Sequence, residues 1–276
     1  MTSDSASSIR LVLSDMDGTI LSSERVLSSK TQMAVRHLRD VGIPVALVSA
    51  RPPQGMVPYI RQLELQGPCA AFNGGLIFDA DGAIKYNIVF PTSVAQALLS
   101  CLAAHEGDVW FQNKDRWSVR DATRSFVTNE SRIIGVQPYE VENLAAEAGD
   151  VNRIIAIGDN VEKAARLEQE LGEKFAGQAS VLRSTPTKIN ITPAQATKGH
   201  ALHKLASFYN VSAQQVACLG DAQNDLPMLC EAGMSIAMGQ APETVKEKAA
   251  HITGSNAEDG WADAVERFIM PHVVHS

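Results

Sequence analysis

The sequence predicts an α/β protein: a doubly wound, Rossmann-like core built on a parallel sheet, split along the chain by an inserted α+β domain. Three observations predict it. Short apolar runs alternate with amphipathic stretches of helical length through residues 9–72 and again from Lys198 onward. Runs such as residues 43–48 are apolar throughout, as a strand covered on both faces must be. Between Phe90 and Ser184 the alternation gives way to a mixture of strand-like and helix-like segments.

The elements follow in order. Residues 9–14 read as the first strand. Residues 28–41 read as a helix: Ser28 or Ser29 can cap it, Ala34, Leu38 and Val41 recur at helical spacing, and Gly42 stops it. Residues 43–48 form a second strand, with Pro44 near its start where proline is tolerated, and residues 68–72 a third. Residues 76–86 read as a hairpin with an Asp81-Gly82 turn. The insert holds strands at 108–112, 117–120 and 153–157 and helices at 93–104 and 160–171. The core then resumes with a helix at 199–208, a strand at 216–219, a helix at 225–232, a strand at 234–237 and helices at 242–250 and 257–268. The expected division is core 1–85, insert 86–187 and core 188–276.

Composition narrows the function. The chain has 276 residues, 45% of them hydrophobic, and a formal net charge of −7. An acidic surface is poor at holding polyanions, so no nucleic-acid partner is expected. No apolar run is long enough to cross a bilayer, and residues 1–10 are polar and Ser-rich, without the apolar stretch of a secretory signal. The four cysteines, Cys69, Cys101, Cys218 and Cys230, form no C-x-x-C pair. They read as buried, reduced core residues of a cytoplasmic protein.

The chemistry gathers at strand ends. Asp15-Met16-Asp17-Gly18-Thr19 follows the first strand directly. On an extended chain Asp15 and Asp17 face the same way, and Gly18 permits a sharp exit. Ligands of open α/β sheets bind beyond the carboxyl ends of the strands, where this pair falls. Gly220-Asp221-Ala222-Gln223-Asn224-Asp225 follows another strand. Asp221, Asn224 and Asp225 can turn toward one point, although an acidic first turn also favours a helix start by itself. Carboxylates converging at one sheet edge repel, at roughly 4 kcal/mol per pair about 4 Å apart at an effective dielectric near 20. A cation would offset that cost, and all-oxygen ligands completed by a phosphate point to Mg²⁺. Lys198, just before a helix, can pair with an acid and with phosphate. Ser49 ends the second strand, and its hydroxyl and the amides of Ala50 and Arg51 can donate to phosphate oxygens. Asn73-Gly74 follows the third strand and could line the entrance.

Taken in order, the acid pair, Ser49, Lys198 and Gly220-Asp221-x-x-Asn224-Asp225 resemble the four motifs of the haloacid dehalogenase superfamily. The closer resemblance is to its Cof-type branch, with a type IIB cap inserted between the second and third motifs. Asn73-Gly74, Lys198-Gly199, Met228-Leu229, Ala237-Met238-Gly239 and the stretch from Asn256 to Gly260 add to it. The resemblance covers roughly residues 9–82 and 186–270. Asn190 stands where many relatives carry an acid.

The resemblance implies the roles. Asp15 is the nucleophile. Asp17 protonates the leaving alcohol, then activates water, and its main-chain carbonyl helps hold Mg²⁺. Ser49 binds a phosphate oxygen. Lys198 steadies Asp15 and the transferring phosphoryl group. Asp221 ligates Mg²⁺, Asp225 supports or shares that task, and Asn224 contacts phosphate or orients Asp221. The implied activity is a Mg²⁺-dependent phosphomonoesterase on a small phosphorylated metabolite such as a sugar phosphate, in a monomer or homodimer. A phosphomutase on the same core, and a silent phosphate-ligand binding protein, are the alternatives. A two-component receiver is about half this length and lacks both the D-x-D-G-T run and the insert. Within the insert, Lys114, Arg116, Trp117 and Arg120 form the most functional-looking cluster. Alternation would put Arg116, Ser118 and Arg120 on one face of a strand and Trp117 on the other. A strand with one solvated face and Trp117 in the domain core explains them at least as well.

Overall fold

The computed structural model describes residues 8–273; the polar run at residues 1–7 lies outside them. The strands are β1 (Leu11–Ser14), β2 (Val45–Leu47), β3 (Cys69–Ala71), β4 (Leu76–Phe78), β5 (Ile84–Asn87), β6 (Val109–Gln112), β7 (Trp117–Val119), β8 (Tyr139–Glu140), β9 (Arg153–Ile157), β10 (Ala179–Arg183), β11 (Lys188–Pro193), β12 (Val216–Gly220), β13 (Met234–Ala237) and β14 (His251–Ile252). The α-helices are α1 (Ser29–Asp40), α2 (Val57–Gln62), α3 (Thr92–Cys101), α4 (Ser125–Ile134), α5 (Val161–Lys174), α6 (Lys198–Phe208), α7 (Leu226–Glu231), α8 (Glu243–Lys246) and α9 (Gly260–Ala264). They fall into two compact units. One holds residues 1–50, 57–85 and 197–276; the other holds 51–56 and 86–196.

The first unit is the doubly wound core. Its sheet runs β14-β13-β12-β1-β2, and all neighbouring strands in it are parallel. All four residues of β1 and all five of β12 are buried, which explains why these strands read as unbroken apolar runs. From β1 the chain moves to β2 on one side, and later returns to β12 on the other. The switch point of the sheet therefore lies between β1 and β12, where such sheets bind ligands. The helices start where the sequence says. Ser28 Oγ accepts from the amide of Thr31 at the start of α1, and Thr197 Oγ1 accepts from that of His200 at the start of α6. A second sheet, β3-β4-β5, contains the expected hairpin, and Gly82 turns it with φ +92°.

The second unit is built on a six-stranded sheet ordered β10-β11-β9-β6-β7-β8. One face, with Val109, Phe111, Ile154, Ala156, Ile189 and Ile191, packs beneath α3 and α5. The other, with Trp110, Trp117, Val119, Ile155 and Ile157, packs beneath α4 through Val127 and Ile134. Period-two alternation supplies both faces from the same strands.

Four expectations change. β11 hydrogen-bonds β9 and β10, so the chain leaves the insert at residue 196, not 187. Residues 51–56, read as core, group with the insert. Ser118 is fully buried, so β7 has no solvated face, while Trp117 does sit in the domain core, edge-on to Trp110. Cys69 and Cys218 are buried, and burial pushes the Cys69 thiol up to about 12, but Cys101 and Cys230 are exposed. They sit on partly solvated helices, where an apolar neighbour in sequence faces a different direction.

Candidate active site

The first unit positions two acidic loops side by side. β1 and β12 pair in register Ser14 to Leu219, and the amide of Asp15 donates to the carbonyl of Leu219 at 3.0 Å. Asp15 therefore leaves the sheet beside Gly220, one residue before Asp221. Carboxylate oxygens of Asp15, Asp221 and Asp225 all lie within 4.8 Å of one another.

Lys198 enters this cluster from the first residue of α6. Its ammonium donates to Oδ1 of Asp15, and to Oδ1 of Asp225 at 2.6 Å. Burial works against the charge on Lys198, but the attraction of Asp15 and Asp225 outweighs it and pushes its pKa up. Burial raises the Asp15 carboxyl well above the usual range; Lys198 opposes this, and repulsion from Asp225 and Asp221 adds to it. Burial and the charge of Asp225 likewise push Asp221 up to about 6, against the pull of Lys198 and a hydrogen bond from Thr19. Two carboxyls held above their ordinary values beside one lysine mark a site short of positive charge. An all-oxygen donor set of this size fits a hard divalent cation.

Asp225 has spent its oxygens. Oδ2 accepts from the amides of Asp221 and Ala222 at 2.9 and 2.8 Å, and Oδ1 accepts from Lys198. It is fully buried, and it ties the loop after β12 to α6.

The glycines of the motifs are sites of close approach. Gly18 has φ +85°, and a Cβ there would lie 2.3 Å from Oδ2 of Asp221. Gly74 has φ +95°, and a Cβ there would lie 2.6 Å from the carbonyl oxygen of Thr197, at the start of α6. Asn73, also left-handed at φ +56°, accepts through Oδ1 from Nδ2 of Asn224 at 3.0 Å. Ser49 is buried at the end of β2; its amide donates to Ala70 and its carbonyl accepts from the amide of Asn73. The predicted residues Asp15, Asp221, Asp225 and Lys198 thus meet at one sheet edge, while Asn224 reaches Asn73, which with Ser49, Ala50 and Gly74 lies at the neighbouring strand end.

Two predicted residues stand apart. β1 stops at Ser14 and the backbone then turns, with the amides of Thr19 and Leu21 both donating to the carbonyl of Met16. Extended-chain alternation no longer applies, and the Asp17 side chain is exposed, with Oδ1 3.7 Å from Nε of Arg25. Arg51 belongs to the second unit, where it donates to the carbonyl of Gly55 at 3.1 Å.

The insert cluster is structural. Trp117 is buried, Arg116 lies over the ring of Tyr139, and Arg120 donates to the carbonyls of Ala103, His105 and Gly107 beyond the end of α3. Asn190, on β11, lies 3.5 Å from Nη1 of Arg153. Sequence reading missed Thr19, whose Oγ1 donates to Oδ1 of Asp221 at 3.2 Å. It also missed Trp261, whose Nε1 donates to Oγ of Ser14 at the end of β1. Thr19 stood inside a recognised motif, but Trp261 gave no signal.

Comparison with known proteins identifies the family. Residues 12–265 match the haloacid dehalogenase-like hydrolase family. A Haemophilus influenzae protein named provisionally as a phosphatase is 32% identical over 93% of this chain and 97% of its own. A Bacillus subtilis 5-amino-6-(5-phospho-D-ribitylamino)uracil phosphatase is 26% identical over 95% of this chain and 96% of its own. The solved structure of a subclass IIB sugar phosphatase covers 94% of this chain and 98% of its own with a TM-score of 0.82 at 22% identity, a likeness of fold. That likeness of fold extends over the second unit as well as the first. No helix among the described residues is long and apolar enough to cross a membrane. The chain belongs to the haloacid dehalogenase-like hydrolases, and these relatives are phosphatases by name.

Proposed function

We propose that this enzyme is a Mg²⁺-dependent phosphomonoesterase that works through an aspartyl-phosphate on Asp15. The observation that carries the reading is the buried contact of Lys198 with both Asp15 and Asp225, beside Asp221. A nucleophilic carboxylate must be ionised, and in a buried site it stays so only against fixed positive charge.

In the first half-reaction an oxygen of Asp15 attacks phosphorus. The bond to the leaving oxygen breaks, and the carboxyl of Asp17 gives that oxygen its proton. In the second, Asp17 takes a proton from water, which attacks the phosphoryl group. Inorganic phosphate leaves and the Asp15 carboxylate returns. Exposure suits Asp17 to this double role, because it must meet both the departing alcohol and the incoming water. Lys198, the hydroxyl of Ser49 and the amide of Ala50 would hold the transferring oxygens, and Asn224 would be held in place by Asn73. Asp15, the main-chain carbonyl of Asp17 and Asp221 would hold Mg²⁺, which when bound neutralises the charge of the phosphoryl oxygens. Asp225, its oxygens already engaged, would position rather than ligate.

The substrate class is a small phosphorylated metabolite, a sugar or polyol monophosphate. The Bacillus subtilis relative, named for a phosphorylated ribityl chain, supports that choice. The test is phosphate release from p-nitrophenyl phosphate and a panel of sugar and polyol phosphates. Turnover should require Mg²⁺ and disappear in Asp15→Asn with the fold intact. Turnover persisting in Asp15→Asn removes the nucleophile, and turnover unaffected by a chelator removes the metal.

A further inference from the structure

The nucleophile loop is held from outside by two side chains that the catalytic scheme does not use. Nε2 of Gln240 donates to the carbonyl oxygen of Gly18 at 2.5 Å. Nδ2 of Asn256 donates to the carbonyl oxygen of Leu21 at 2.9 Å. The two are linked, because the amide of Asn256 donates to Oε1 of Gln240 at 3.1 Å. Between Gly18 and Leu21, Thr19 donates through Oγ1 to Oδ1 of Asp221 at 3.2 Å. Gly18 and Leu21 bracket the turn that follows Asp17, and Asp17 and Leu21 are themselves bridged.

The backbone is built to bring these residues together. Gln240 follows β13 and Asn256 follows β14, neighbouring parallel strands. Gly239 donates to the carbonyl of Gly254, and a Cβ at Gly239 would lie 2.9 Å from Gly254 and Ser255 backbone. A Cβ at Gly260 would lie 2.1 Å from the carbonyl oxygen of Gly254. Glycine at 239 and 260 is thus the condition for the close approach of the two loops. Both belong to stretches, 237–239 and 256–260, that the motif reading noted without assigning them work.

From this geometry we infer that Gln240 and Asn256 are positioning residues that clamp the Gly18–Leu21 turn, and with it the Asp17–Gly18 peptide and the Thr19 hydroxyl that holds Asp221, as part of a divalent-cation site. The inference rests on the proposed metal site. Both clamp residues lie outside the buried acid cluster, and Gln240 is exposed, so replacing it creates no buried cavity. A carboxamide held at both its oxygen and its nitrogen has little freedom, which makes the turn rigid before any ligand arrives.

The test uses the full-length protein, with Mn²⁺ as a paramagnetic probe of the cation site. Gln240→Met and Asn256→Leu are compared with the parent in three measurements: Mn²⁺ binding by electron paramagnetic resonance, kcat and KM on p-nitrophenyl phosphate, and thermal unfolding. Loss of one such bond should weaken Mn²⁺ binding roughly 3- to 10-fold. It should lower kcat by a similar factor with KM nearly constant, while Tm stays within a few degrees of the parent. Mn²⁺ binding at parental strength in both variants overturns the clamp. So does weakened binding that merely tracks a collapse in Tm, and Gln240→Glu then serves as a check. That variant retains size and solubility but offers no donor to the Gly18 carbonyl, so it should fail as Gln240→Met does. Asp15→Asn run alongside separates the two ideas. Turnover in that variant defeats the catalytic scheme, whereas unchanged Mn²⁺ binding in the clamp variants defeats the clamp.

Discussion

Lys198 donates to Oδ1 of Asp225 over 2.6 Å, and the side chains of both are fully withdrawn from solvent. The pair joins the start of α6 to the loop after β12. It makes the candidate active site part of the structural core, with consequences that can be measured.

Removing the lysine should cost stability as well as activity. Lys198→Met would leave Asp15 and Asp225 buried without their cation, and breaking a buried pair from one side costs about 3–5 kcal/mol. Denaturant unfolding should show a midpoint well below the parent, with turnover lost. A midpoint equal to the parent's would mean that the ammonium does not neutralise these carboxylates in solution.

The metal-free protein should weaken as pH rises through mildly acidic values. Asp221 titrates at about 6 when folded, from burial and the charge of Asp225, against an ordinary 3.8. A raised folded value means that the folded state binds the proton more tightly. The stability it contributes is complete below about pH 4 and lost as pH climbs to about 6. Asp15, raised for the same physical reason, acts in the same direction. Mg²⁺ binds the ionised forms, so the rise in Tm on adding Mg²⁺ to chelator-treated protein should be larger at pH 8 than at pH 5. Equal rises at both values would contradict the assignment.

Two glycines with positive φ should respond differently to alanine. Gly18→Ala puts a methyl group against Asp221, at 2.3 Å before relaxation. Gly82→Ala, at φ +92°, meets nothing within 4 Å. The second should cost only backbone strain, roughly 1 kcal/mol. The first should also abolish phosphatase activity. Thermal unfolding and turnover of the two variants, side by side, check the contrast.

Thr19→Val removes the hydroxyl that donates to Oδ1 of Asp221 while keeping the shape of the side chain. A lost bond to a charged acceptor is worth about 1.5–3 kcal/mol. Tm of the metal-free protein should fall by several degrees, and Mg²⁺ binding by titration calorimetry should weaken with it. Unaltered affinity would remove Thr19 from the site.

How much of this was legible in advance depends on the range of the physics involved. Helix α1 was readable because Ser28, Ala34, Leu38 and Gly42 act within a few residues of one another. Strands β9 and β13 were readable to the residue because burial of every position leaves a short, mostly apolar run, with only Arg153 and Ser235 polar. Helix α4 went unread, although it carries the second face of the cap sheet through Val127 and Ile134.

By itself the sequence determined the fold class, the places of most core strands along the chain and the identity of the acids, lysine and serine at their ends. These follow from local periodicity and from residue types that have few other uses at a strand end. Only the tertiary structure decided which of them meet. It sent Asp17 outward because β1 stops at Ser14, engaged both oxygens of Asp225, and kept β11 with the insert through its bonds to β9 and β10. It also brought Gln240 and Asn256 onto a loop more than two hundred residues away. Pairing across such separations is set by strand register and by the packing of whole elements, and no window of neighbouring residues contains that information.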